Sequence, residues 1–159
     1  MFVIKSIDSA DEECVRVIRD SFRTVADEFG LTKESAPTNA AFIELDSLEA
    51  LHQKGTRFFG GFFDDRLVGF VAIRKAKDDL YYMEKLAVLP GFRHRGYGRK
   101  LVEHAIKAVK EVGGARISIG IINENTVLKE WYKGIGFVET GIRQYPHLPF
   151  KVCYMELAV

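Results

Sequence analysis

The run from Leu80 to Ile122 constrains what this chain can fold into more than any other segment. "LYYMEKLAVLP" has the composition of a strand and stops at Pro90, and "FRHRGYGRK" follows with two glycines among four cationic side chains. Leu101, Val102, Ala105, Ile106, Val109 and Val112 then recur at helical spacing, until Gly113 and Gly114 stop the helix. "ARISIGII", Ala115 to Ile122, is an almost wholly apolar strand of the kind buried on both faces of a sheet. A strand, a helix and a strand in that order form a right-handed crossover with the two strands parallel. Ligands on such sheets collect at the carboxyl end of a strand, where the next helix begins. The glycines lie at that point.

The flanking segments complete a mixed sheet. A short strand is expected at Phe2 to Ser6 and a helix from Cys14 to about Ala26. Gly30 and Pro37 interrupt a connector, Glu28 to Ser47, that leads to a short helix at Ser47 to Lys54. "TRFFGGFFDDRLVGFVAIRK" divides at Asp64-Asp65 into the two arms of a hairpin, with Gly60 and Gly61 marking a bulge. Asn125 to Ile135 places Val127, Leu128, Trp131, Tyr132 and Ile135 on one helical face, with Gly136 closing the helix. Two more strands, Phe137 to Arg143 and Lys151 to Leu157, surround "QYPHLPF". Helices packed on a mixed sheet place the chain in the α/β (α+β) class, as one domain over residues 1–159.

Composition excludes several classes of function. No apolar run approaches the roughly 18 residues of a membrane span, and the acidic start "MFVIKSIDSADEE" does not read as a secretory signal. With 23 basic and 22 acidic residues the net charge is +1, so no broad positive field exists to hold nucleic acid. Cys14 and Cys153 are isolated small apolar packers, and His52, His94 and His104 have no metal-like spacing; no metal is expected. These features fit a cytoplasmic protein.

Chemistry concentrates in the glycine loop. A helix that opens there presents unpaired backbone N–H groups and the positive end of its dipole to one point. Gly96 and Gly98 let the main chain approach an anion closely, and Arg93, Arg95, Arg99 or Lys100 add charge from the rim. The loop lacks the Gly-Lys-Ser/Thr of a P-loop and the Gly-x-Gly-x-x-Gly of a dinucleotide site. Pyrophosphate would suit that point, and a glycine turn with a solvated basic face is the other reading of the same residues.

Arg93, Gly96 and Gly98 occupy the fixed places of Q/R-x-x-G-x-G/A, and the stretch resembles motif A of the GNAT superfamily of N-acetyltransferases. "LAVLPGFR" is similar to the strand and loop that precede it, and "NTVLKEWYKGIGF" is similar to motif B. The resemblance runs from about Arg57 to Leu157. It implies a mixed central sheet of about six or seven strands with about four helices, in which the central parallel strands, Tyr81 to Leu89 and Arg116 to Ile122, splay apart. It also implies an acetyl-CoA site. The backbone of Leu86, Ala87 and Val88 would pair with the pantetheine arm like an added strand, and Arg93, His94, Arg95, Gly96, Tyr97, Gly98 and Arg99 would wrap the pyrophosphate.

Acetyl transfer to an amine of pKa near ~10 calls for a base, a polarised thioester carbonyl and a proton for the thiolate. Glu84, two residues before Leu86 and so expected on the same side of the pleat, is the candidate base; a surface ion pair is its other reading. Tyr132 falls at the motif B tyrosine that the resemblance makes the acid. The Val88 amide would be the oxyanion donor. Asn125 has two compatible roles, capping its helix and bonding pantetheine. His147 lies where the family shapes its acceptor pocket. The acceptor is a small-molecule or peptide amine of undefined identity, and a homodimer stays open. Two rival functions remain: a non-catalytic acyl-CoA sensor, and a nucleic-acid binder built on "RHRGYGRK" and disfavoured by the charge balance.

Overall fold

The computed structural model describes residues 1–159. In chain order it contains β1 (Phe2–Ile7), α1 (Glu12–Glu28), α2 (Leu45–Gln53), β2 (Arg57–Phe63), β3 (Arg66–Lys77), β4 (Leu80–Val88), α3 (Tyr97–Glu111), β5 (Arg116–Ile122), α4 (Thr126–Ile135), β6 (Val138–Gln144) and β7 (Lys151–Ala158). Local chemistry explains most boundaries. Asp11 accepts a hydrogen bond from the Cys14 N–H at 2.9 Å, and Glu12 and Glu13 face the positive end of α1. Asp64 and Asp65 take positive φ values of 49° and 67°, the backbone of a two-residue hairpin turn.

The seven strands form one sheet in the order β1-β2-β3-β4-β5-β7-β6. Only β4 and β5 are parallel; every other neighbouring pair is antiparallel. The register of β2 against β3 shifts at Gly61/Phe62, as the glycine pair suggests, and a Cβ on Gly61 would lie 2.5 Å from the Phe2 ring. No helix is long and apolar enough to cross a membrane.

Helices cover both faces of the sheet. On one face Cys14, Val15 and Ile18 of α1 and Leu48 of α2 pack on Phe58, Val68, Phe70, Ala72 and Ala87. On the other, Leu101, Val102, Ala105 and Val109 of α3 and Tyr132 of α4 pack on Phe59, Val71, Ile73, Met83, Ile117 and Ile119. The connector is more ordered than its weak periodicity suggests: Leu31, Ala36 and Ala41 bury against Ala26 and Ile122. Three residues of the expected apolar stripes are exposed. Val112 lies beyond the end of α3, and Ala108 takes the buried place. Val127 is 80% exposed and Trp131 36%, because α4 turns Leu128, Tyr132 and Ile135 inward.

The centre of the sheet has two irregularities. β4 and β5 pair only at Leu80–Arg116, Tyr81–Ile117 and Tyr82–Ser118, and beyond that rung they separate. This is the splay that was expected. Against β3, Phe70 faces Ala87 but Ala72 faces Glu84, so two steps on β3 match three on β4. The extra residue is a bulge at Lys85, whose φ is +54°. The bulge resets the alternation of β4. Leu86 and Val88 pack on the α3/α4 side with Met83, whereas Glu84 lies across from Ala72 on the α1/α2 side. The expectation that Glu84 and Leu86 share a side is therefore wrong, since it assumed an unbroken two-residue period.

Gly114 closes α3 against the foot of this sheet. Its N–H donates to Val109 C=O at 2.9 Å, and a Cβ there would fall 2.3 Å from Val109 Cγ1 and 2.8 Å from Tyr81 Cδ1. Gly114→Ala is expected to lower stability by about 1–3 kcal/mol, read as a lower urea midpoint at unchanged m-value.

Candidate active site

After Val88 the chain makes one short 3-10 turn, Pro90–Phe92, and enters α3 through His94 at φ +63° and Gly96 at φ +82°. Gly96 is the N-cap residue, so no side chain caps the helix, and the first turn holds no acid. The first ladder bond runs from the Lys100 N–H to Gly96 C=O. The amides of Tyr97, Gly98 and Arg99 thus point outward without helical partners. A residue with a Cβ would meet Trp131 at 3.4 Å from position 98, so α4 stands close beside this turn. The combination can hold an anion between the N-terminus of α3 and the half-exposed Trp131.

The side chains around these amides divide into two groups. His94, Arg95, Arg99 and Lys100 are exposed on the rim. Arg95 lies over the Phe92 ring at 5.1 Å, and Arg99 pairs with Glu103 at 3.2 Å. Arg93 and Tyr97 turn inward. Tyr97 stacks on Phe2 with ring centroids 4.0 Å apart. Arg93 donates from Nε to Val88 C=O at 3.0 Å, from Nη1 to Thr24 Oγ1 at 3.0 Å and from Nη2 to Ser21 C=O at 2.7 Å. Arg93 is therefore a strut between β4 and α1, with a guanidinium directed away from the rim where it was expected to add charge. Ser21 and Thr24 carried no sequence signal, because their part lies in a contact with a residue about seventy positions away.

The open edge of β4 is the second component. Leu89 N–H donates to Val68 C=O at 2.9 Å while Gly69 stands opposite Val88. In an antiparallel ladder this turns the N–H and C=O of Val88 away from β3. They face the gap left by β5, and the same alternation turns Leu86 there too. Arg93 satisfies the Val88 carbonyl; the Val88 N–H has no strand to bond. The side chains of Leu86 and Val88 pack against the cluster that contains Tyr132.

Tyr132 is 5% exposed, with its ring edge-on to Trp131 and Phe137 at 5.0 and 5.2 Å. Burial raises its pKa well above the ordinary phenol value, so the hydroxyl keeps its proton. Asn125 is capping its helix: Oδ1 accepts from the Leu128 N–H at 3.2 Å.

Glu84 is on the α1/α2 side of the gap. Its Oε1 accepts from Arg74 Nε at 2.8 Å, and Lys85 Nζ is 3.8 Å from Oε2. Burial lowers the pKa of Lys85, against the opposing pull of Glu84. Tyr82, missed by sequence reasoning although it shares a side of β4 with Glu84, lies under the Arg74 guanidinium at 4.6 Å. Across the gap the hydroxyls of Tyr145 and Tyr154 bond to each other. Burial and this bond push Tyr154 up to about 12. His147 is exposed, its ring 5.7 Å from that of Tyr145. No group of three or more His, Cys, Asp or Glu side chains forms a metal-type cluster.

A parallel strand pair that opens over a helix N-terminus, with a tyrosine beneath the opening, is an α/β arrangement that leaves two neighbouring sets of main-chain amides unpaired. The sequence matches the acetyltransferase (GNAT) family over residues 18–137, and the chain belongs to that family. It is 34% identical over 85 residues to the [ribosomal protein bS18]-alanine N-acetyltransferase of Salmonella typhimurium, covering 52% of this chain and 57% of that protein. It is 31% identical over 80 residues to the streptothricin acetyltransferase of Streptomyces lavendulae, covering 50% and 42%. The chain thus spans about half the length of these curated relatives. Its fold is that of the PaiA N-acetyltransferase of Thermoplasma acidophilum in complex with coenzyme A, with a TM-score of 0.78 at 20% identity over 100% of this chain and 99% of that one. The Escherichia coli ribosomal-protein-S18-alanine N-acetyltransferase has a TM-score of 0.79 at 17% identity, over 100% and 94%.

The strut predicts an inequality between neighbouring arginines. Arg93→Ala is expected to lower stability by about 1.5–3 kcal/mol, because Val88 C=O and Ser21 C=O lose a charged donor. Arg95→Ala should stay within about 0.5 kcal/mol. Urea titrations of both variants measure the difference.

Proposed function

We propose that the chain, acting as one catalytic domain in the cytoplasm, transfers the acetyl group of acetyl-CoA directly to a primary amine of a small molecule or peptide. The observation that carries this reading is the coincidence of two sets of unpaired amides: those of α3's first turn, and those of β4 where β5 leaves it. The first set suits a pyrophosphate and the second the amides of a pantetheine arm. The residues present fit acetyl-CoA, which supplies an activated thioester when bound.

The residues around the gap have separable tasks. The amides of Gly96 to Arg99 hold the diphosphate, with His94 and Arg95 at its rim and Asn125 fixing the start of α4. The backbone of Leu86, Ala87 and Val88 orients the arm. The Val88 N–H donates to the carbonyl oxygen as charge develops there. Glu84, on the α1/α2 side, takes a proton from the incoming ammonium, directly or through water, and Arg74 and Lys85 hold its carboxylate in place. Tyr132, on the opposite side, gives its proton to the departing sulfur. Base and acid thus stand on opposite faces of the sheet.

Tyr132→Phe is expected to slow turnover by about 10²–10⁴-fold while leaving the affinity for CoA, measured by calorimetry, nearly intact. Unchanged turnover would remove Tyr132 from its role, and CoA binding without any acetyl transfer to a broad set of amines would favour a sensor. Since the Tyr132 proton is held more tightly than that of a free phenol, its loss should contribute no fall in rate at mildly alkaline pH. Glu84→Gln is expected to reduce kcat/KM by about 10²-fold near neutral pH, with the deficit shrinking as pH rises toward the amine pKa and the substrate arrives already neutral. A pH-independent deficit would contradict a base role.

A further inference from the structure

We propose that the acceptor carries an anionic group, a carboxylate or a phosphate, in addition to its amine, and that this group is held in the cleft beside Glu84. The inference rests on the acetyltransferase reading above and names the class of its acceptor. A cleft of about 390 Å³ opens between the end of α2 and the β3–β4 ladder, with Leu51, Lys54, Thr56, Arg74, Lys75 and Glu84 in its wall. Three of these residues are cations and one is an acid, and the acid is already matched by Arg74 and Lys85. The cleft therefore has a positive surplus next to the proposed base.

Arg74 is placed to receive an oxyanion. Its Nε is held by Glu84 and its guanidinium carbon lies over the Tyr82 ring, 4.6 Å from the centroid, so the group is oriented before any ligand arrives. Both Nη atoms have no hydrogen-bond partner within the chain, and these are the two donors of a fork suited to a carboxylate or phosphate. Thr56 adds a neutral donor: the residue is only 3% exposed, it lines the same wall, and its hydroxyl makes no hydrogen bond within the chain. Lys54 makes no ion pair. Near the end of α2 the carbonyls of Ala50, Leu51 and His52, which would repel an anion, accept from the N–H groups of Lys54, Gly55 and Thr56. Glu84 borders both this cleft and the gap, so the amine and the anion would belong to one molecule spanning them. Size alone admits many amines; the charge selects among them.

The test compares acceptors matched in shape: an amino acid with its amide, and an aminoalkyl phosphate with the corresponding amino alcohol. The anionic member of at least one pair should have a kcat/KM ten-fold or more above its neutral partner, and the pair that responds identifies carboxylate or phosphate. Lys54→Glu should raise KM for that anionic acceptor ten-fold or more at unchanged kcat, and should not raise KM for its partner without the anionic group. A preference for the neutral members, or no effect of Lys54→Glu, overturns the inference while leaving the transferase reading intact. A readout without turnover uses isotope-labelled protein saturated with CoA and titrated with succinate or phosphate. Amide resonances of Gly55 and Thr56 should shift in the wild type and not in Lys54→Glu, and silence in the wild type overturns the inference. Calorimetry of CoA on the same samples reports separately on the transferase reading, and the succinate and phosphate titrations can be read in its absence.

Discussion

Everything that makes this molecule more than a covered sheet follows from a parallel pair that lets go after three rungs. Where β4 and β5 part, main-chain groups in the middle of a sheet lose their partners. A buried amide or carbonyl without a partner is disfavoured by about 1–3 kcal/mol, so a break of this kind needs support from its surroundings. The chain provides that support asymmetrically. Arg93 reaches back to the Val88 carbonyl, while the Val88 N–H remains directed into the gap. One half of the exposed backbone is satisfied internally, and the other half is left without a partner in the chain.

The bulge at Lys85 divides the two sides of that gap. By adding one residue to β4 it turns Glu84 toward α1 and α2, and leaves Leu86 and Val88 toward α3 and α4. A regular strand would have put the carboxylate among the apolar side chains that surround Tyr132, where desolvation would resist its charge. The irregular strand keeps a charged group at a solvated cleft, while Leu86 and Val88, a few residues further along it, face the apolar core that holds the neutral phenol of Tyr132.

Much of this was legible in the chain, and the parts that were not share a cause. The glycine loop, the crossover, the hairpin at Asp64-Asp65 and the stop at Gly113 and Gly114 are local signals, and all stand where they were expected. The bulge was invisible because a lysine at positive φ carries no local signature; the third dimension of β3 imposes it. Arg93 was recognised by its place in a motif, but its direction depends on Ser21 and Thr24, which approach only when α1 lies across the strand ends. Helical periodicity assigned Val127 and Trp131 to the core, yet the neighbouring turn of α3 holds Trp131 at the surface beside Gly98. Periodicity identifies a stripe, and packing decides where its centre lies.

Arg93 also joins elements that otherwise meet only through side-chain packing. A single planar group binds the end of β4, at Val88, and the middle of α1, at Ser21 and Thr24. α1 roofs the side of the sheet opposite to α3. The glycine loop is thereby tied to the roof on the far side, so that any displacement of the loop would load α1 through these three hydrogen bonds.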